Sequence, residues 1–228
     1  MTHTNKALHP HLKNIWLYTL IFLLVFISGC ATKHADVTHQ AQVNQSSLQA
    51  LSKWSLRGKL AVITPQERKS ANVAWQQNEQ SLNMALTTIV GSSIANLRSN
   101  KSMATLEADG QTWQDTSASR LVSDVTGWRI PVESLSQWMK GNLDGTDEDL
   151  IQERYDNGLL KQFTTQLTDA GAGNCSSYRN DCLAWTVHYK RYAQFSIGQN
   201  KYTLPSAIEM NQANTQTRLI LRIDSWSE

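Results

Sequence analysis

Excess charge of one sign is missing from this sequence, and so are most marks of a catalytic or metal-binding protein. Lysine and arginine number 21 against 19 aspartate and glutamate. Lys6 and Lys13 stand in the first 29 residues, which hold no acid, so removing that stretch leaves 19 of each sign. With no net positive field, neither nucleic acid nor an anionic membrane surface is expected as the main partner. Beyond those first 29 residues only three of the six histidines remain: His34 and His39 fall in a polar segment near the start, and His188 alternates with Trp185, Val187 and Tyr189 as an exposed strand residue does. No Gly-x-Ser-x-Gly elbow or His-Glu-x-x-His helix is present. "GAGNCS" lacks the third glycine of a dinucleotide loop, and the glycine of "LDGTDEDL" comes too early for a calcium loop. No cofactor, metal or catalysis is therefore expected. An enzyme would need a constellation of carboxylates that the sequence hides.

Long apolar runs are missing too. The longest, Ile15 to Ile27, follows Lys6 and Lys13 and ends in Ser28, Gly29 and Cys30. A charged start, a run too short to span a bilayer and small residues before a cysteine describe a secretory signal peptide, 1–29. The same residues resemble a bacterial lipobox, which implies a lipid anchor on Cys30, with a plain secretory signal as the alternative. Ala31 rather than Asp follows, which under the sorting rule for such lipoproteins implies the outer membrane, facing the periplasm. Residues 30–36 read as a lipidated tether and 37–228 as one domain. Only Cys175 and Cys182 remain, in the Gly/Asn/Ser-rich "GAGNCSSYRNDC". An oxidising compartment favours a disulfide between them, worth roughly 2.5 kcal/mol by loop entropy, over a metal site that has no further ligands nearby.

Residues 37–51 carry a weak amphipathic helical pattern through Val37, Ala41, Leu48 and Leu51. From Trp54 the period becomes two: Trp54, Leu56, Gly58, Leu60 and Val62 alternate with Ser55, Arg57, Lys59 and Ala61. Pro65 to Arg68 reads as a turn, and Val73, Trp75, Gln77, then Leu82, Met84, Leu86, continue as antiparallel hairpins. "SIANLRS" and "SMATLEA" are further strands, and Asp109-Gly110 is a hairpin turn. Ala118, Leu121, Val122 and Val125 then fall at helical spacing, with Ser117 to cap and Gly127 to end the helix. A second helix starts at Pro131 with Val132, Leu135, Trp138 and Met139 on one side. Strands return at 151–155, 159–167, 183–192, 204–210 and 217–226. The expected fold is mainly β with α: about eleven antiparallel strands curling into an incomplete barrel, with helices inserted after the sixth as a lid. Periodicity leaves open whether a packed core or an apolar cavity lies inside.

"TTIVGSSIANL" places Ile89 and Val90 before Gly91 at a turn tip, where polar residues are usual. Either they stand in water awaiting an apolar partner, or the strand runs on into a buried corner.

"LRGKLAV", "VAWQQN", "LTTIVGSSIANL", "GWRIPVESLSQWMKG", "LPSAIEM" and "LRIDSW", in this order behind the leader, resemble the LolB family of outer-membrane lipoprotein receptors. The resemblance spans essentially the whole mature chain. It implies an eleven-stranded incomplete barrel with a helical lid over a hydrophobic cavity. It also implies a function: accepting triacylated lipoproteins from the soluble periplasmic carrier LolA and inserting them into outer-membrane phospholipid, as a monomer. In the family a leucine tips the loop between the third and fourth strands and serves insertion rather than acceptance. Val90 matches that position, with Ile89 where a proline often stands, so Ile89 and Val90 are expected to share the role. The acyl-chain cavity is expected to be lined by Leu60, Trp75, Met84, Leu86, Leu97, Val187, Ile208 and Leu221, with Trp138 and Met139 from the lid. The rival reading is a structural or assembly lipoprotein with a packed core, docking another envelope protein through the apolar loop.

Overall fold

The computed structural model describes residues 46–143, 151–168 and 182–228, all within the unit Thr38–Glu228. The leader, Cys30, the tether 30–36 and Cys175 lie outside them, and with Cys175 the expected disulfide to Cys182. The acidic run after Leu143 also lies outside.

Period-two alternation becomes strand wherever it occurs. On β1 (Lys53–Ile63), Trp54, Leu56 and Val62 are buried while Lys53, Arg57 and Lys59 are exposed. There follow β2 (Arg68–Asn78), β3 (Ser81–Thr87), β4 (Ser93–Ser99), β5 (Ala104–Ala108) and β6 (Gln111–Asp115). The helices α1 (Ala118–Thr126) and α2 (Val132–Lys140) come next, then β7 (Ile151–Arg154), β8 (Leu160–Thr168), β9 (Cys182–Ile197), β10 (Asn200–Gln212) and β11 (Thr217–Ser227). Asp109 and Gly110 both take positive φ, 51° and 75°, as a two-residue hairpin turn of mirror-image type requires.

The strands form a single 11-stranded sheet in the order β6-β5-β4-β3-β2-β1-β11-β10-β9-β8-β7, antiparallel at every pairing. Sequence neighbours are sheet neighbours throughout except at β6 and β7, which are the two open edges. The helical insertion connects those edges, so the chain itself carries the lid from one side of the gap to the other. Both edge strands are short, which limits the backbone they leave unpaired.

The lid is locked together at one point and bolted down at another. Ser117 caps α1, its Oγ accepting the Arg120 N–H, and Gly127 ends the helix at φ 73° with its N–H on the Ser123 carbonyl. Pro131 stands one residue ahead of α2, at the cap. Glu133 of α2 reaches back to the start of α1: its carboxylate accepts the Ser119 N–H (3.1 Å), the Ser117 hydroxyl (3.1 Å) and the Ser119 hydroxyl. A negative charge there answers both the unpaired N–H groups and the helix dipole. Ser119 Oγ in turn accepts the Val132 N–H at 2.8 Å. The far end of α2 is fixed to the wall and floor: Tyr189 Oη donates to the Trp138 carbonyl (2.8 Å), and buried Lys140 Nζ donates to the Leu48 and Leu51 carbonyls (3.0 and 3.2 Å). We expect Glu133→Ala to destabilise the fold by about 1–2 kcal/mol, because buried Ser119 loses its acceptor. Urea unfolding checks this, and Glu133→Gln should restore part of the loss.

The concave face divides in two. Over β8–β10, α2 packs directly on the sheet: Trp138 meets Phe163 at 5.4 Å edge-on and Trp185 at 6.4 Å between ring centroids. Phe163 stacks on toward Tyr189, whose hydroxyl burial holds well above its ordinary pKa. Over β1–β5 the same face stays hollow. The floor beneath is a tryptophan trio, with Trp54 5.3 Å from Trp75 and 5.1 Å from Trp226.

Candidate functional site: an apolar cavity and an exposed tip

The hollow half is a cavity of about 120 Å³. Its walls come from Leu56, Leu60 and Val62 of β1, Val73 and Trp75 of β2, Met84 and Leu86 of β3, Ala95 and Leu97 of β4, Leu106 of β5, Met210 of β10, and Leu219 and Leu221 of β11. The roof is Val122, Thr126, Trp128, Ile130, Val132, Leu135 and Met139. Thr126 is the one polar residue of the lining, and its hydroxyl is already donated to the Val122 carbonyl at 2.6 Å. Such a lining has no use for water and favours hydrocarbon.

Leu60, Val62, Leu86, Ala95, Thr126 and Trp128 also line a wider opening of about 600 Å³, together with Ser70, Ile94, Asp109 and Trp113. These residues sit toward the end of the sheet that carries the β1–β2, β3–β4 and β5–β6 turns. At that opening Lys69 Nζ lies 5.6 Å from the Trp128 ring centroid, so a cation–π contact ties the loop after α1 to β2.

The β3–β4 turn is the second feature of this end. Thr88 O accepts the Gly91 N–H (3.0 Å), the Thr88 N–H reaches Ser92 O (2.9 Å), and Asn72 Nδ2 also donates to Thr88 O (3.0 Å). Gly91 takes φ 89°, where a side chain would be strained. Ile89 and Val90 are thus the two central residues of a braced turn. They are 93% and 87% exposed, which settles that the strand does not run on into a buried corner. The tip and the cavity opening are at the same end of the sheet.

The profile of the family described as "Outer membrane lipoprotein LolB" matches residues 52–226. The chain belongs to the LolB family. It is 37% identical over 127 residues to an outer-membrane lipoprotein LolB of Pseudoalteromonas translucida, covering 56% of this chain and 63% of that one. Longer matches are to LolB of Aeromonas salmonicida, 32% identical over 216 residues (91% and 97% of the two chains), and of Shewanella woodyi, 30% over 222 residues (97% and 92%). Among solved structures, a LolA superfamily protein of Nitrosomonas europaea is similar at TM-score 0.47 and 9% identity, over 86% of this chain and 93% of that one.

Within this LolB-family domain, Leu60, Trp75, Met84, Leu86, Leu97, Met139 and Leu221 line the cavity. Trp138, Val187 and Ile208 do not: they are buried in the packed half, below and beside α2. Leu135, Trp138 and Met139 share one broad helix side, but Trp138 lies at its edge and faces the β8–β9 aromatics Phe163 and Trp185. The roof residues Trp128 and Ile130 carry no periodic signal, since they lie in the irregular link between the helices. His188 is half-buried and pairs in register with Glu209 on the outer face; burial and then Lys190 hold its imidazole below the ordinary pKa.

Proposed function

We propose that this chain is an outer-membrane lipoprotein receptor that takes the acyl chains of lipoproteins from a soluble carrier of the LolA kind into the apolar cavity and releases them into outer-membrane phospholipid. The observation that carries the reading is the pairing of an almost wholly apolar, roofed cavity with an exposed apolar tip at the same end. The work is transfer rather than bond chemistry, with no cofactor and a monomer as the acting unit. Each buried CH2 is worth about 0.8 kcal/mol, so acyl chains move only between sheltered sites. The roofed part alone is comparable to the roughly 150 Å³ that holds a single benzene ring, too little to admit an acyl chain from the wider opening beside it. The roof therefore has to lift. Tyr189 and Lys140 hold the end of α2, while the link at Trp128 is tied across the opening by the Lys69 contact, so opening starts at the Trp128 side.

The test mixes the mature chain with carrier loaded with a labelled lipoprotein and follows the cargo by co-purification. Transfer with the lipid intact is expected; cargo staying on an otherwise competent carrier overturns the reading. Leu60→Glu, at the border of cavity and opening, should weaken uptake tenfold to a hundredfold, since burying an unpaired polar group beside hydrocarbon costs about 1–3 kcal/mol on mutational scales. Unchanged circular dichroism confirms that the variant is folded.

A further inference from the structure

Balanced overall charge conceals a segregated surface. On the convex face, Lys59 of β1 stands directly opposite Arg222 of β11. Arg222 is opposite Ala207 of β10, and Ala207 is opposite Arg191 of β9. Arg57 lies two residues from Lys59 on the same side of β1. All four cations are exposed. With strands about 4.8 Å apart, Lys59, Arg222 and Arg191 span about 15 Å. Among the described residues no carboxylate forms an ion pair with any of the four; Glu209, in the next row, is taken by Arg218 and Lys190, and Asp224 pairs with none of them.

Like charges facing each other across a ladder cost stability, so folding does not account for this arrangement. A protein partner generally needs an apolar anchor in the middle of its contact. The exposed large apolar side chains among the described residues, Ile89, Val90, Ile94, Met103 and Tyr155, all lie on other elements. A shallow wall of long, unpaired cations without an anchor suits a surface that asks only for charge. Anionic phospholipid headgroups are such a surface, and basic residues bind them additively. The chain from residue 31 to 45 reaches at most about 50 Å when extended, which keeps the wall close to a membrane that holds the amino-terminal lipid.

We infer that Arg57, Lys59, Arg191 and Arg222 form a docking face for anionic phospholipid headgroups, setting how the anchored barrel lies on the membrane. This goes beyond the receptor reading and does not depend on cargo binding.

The test uses the mature lipidated protein in vesicles of phosphatidylcholine, with or without phosphatidylglycerol. It reads the acetylation rate of Lys59 against Lys101 and Lys201. Selective slowing at Lys59 in the phosphatidylglycerol vesicles, reversed by salt, is expected. Arg222→Gln should lower the docked-to-undocked ratio about fivefold. Its thermal midpoint should equal or exceed that of the unsubstituted protein. Equal Lys59 reactivity in both vesicles overturns the inference. So does protection that arises only when loaded carrier is added, which would mark a protein interface, and so does a lowered midpoint, which would mark Arg222 as part of the sheet's stability.

Discussion

With Ile89→Glu and Val90→Glu together, cargo passes from the carrier to this chain at the unsubstituted rate and stays there, with membrane delivery reduced a hundredfold or more. Both side chains are already in water, so the folded protein loses no packing when they change. The brace of the turn also survives, because it is made by Thr88, Ser92, Asn72 and Gly91. On the proposed function, what is lost is the favourable burial of two large aliphatic groups in the membrane, about 3–5 kcal/mol together, before the added cost of two carboxylates. Sedimentation of labelled lipoprotein with vesicles, after transfer from the carrier, separates the two steps. Loss of uptake in the same variant would place the tip at the carrier rather than at the membrane. Alanine at both positions should give an intermediate defect.

Gly58→Val is expected to destabilise the fold severely. A Cβ at Gly58 would lie 2.1 Å from the Arg222 carbonyl oxygen and 3.0 Å from the Arg222 carbonyl carbon and from Ile223 Cα. All three atoms are backbone, so no side-chain rotation relieves the contact, and β1 must separate from β11 at the bulge between Arg57 and Gly58. Overpacking of ordinary cores costs about 1–3 kcal/mol, and a backbone collision at the centre of the sheet belongs above that range, at about 4 kcal/mol. A fall of about 8–16 °C in Tm follows for a domain of this size. Gly58→Ala should fall in between; a Tm within 2 °C of the unsubstituted protein would show that the two strands part without loss.

The strands and the parity of their side chains were legible because one face of every hairpin is buried: Leu60, Trp75, Met84 and Leu221 could be placed from alternation alone. Depth was not. Val187 and Ile208 point to the same side as Met210, yet only Met210 borders the cavity, because α2 fills the space over β8–β10 and that filling depends on where Trp138 lands. Alternation carries the strands only over 183–192 and 204–210, whereas they run on to Ile197 and start at Asn200, since the small and polar residues around Gly198 obscure a hairpin that the pairing of Ile197 with Asn200 makes plain. The turn could be read from Gly91 and two serines, but not its burial: exposed tip and buried corner both stayed compatible with the sequence until the exposure of Ile89 and Val90 decided between them. The cationic wall could not: Lys59 and Arg222 become neighbours only once the register of β1 and β11 is known.

That central pairing also dictates when the chain can fold. Leu60 lies opposite Leu221, so the ladder that joins the two halves of the sheet pairs the first of the eleven strands with the eleventh and waits until β11 has been made. Hairpins among the first six strands are local and can form early, but they expose an unpaired, apolar β1 until β11 arrives. Contacts of such long sequence separation make folding slow and leave a sticky intermediate. A chain that crosses a membrane amino end first would spend that interval as half a sheet, its apolar β1 edge in need of shelter until β11 is delivered.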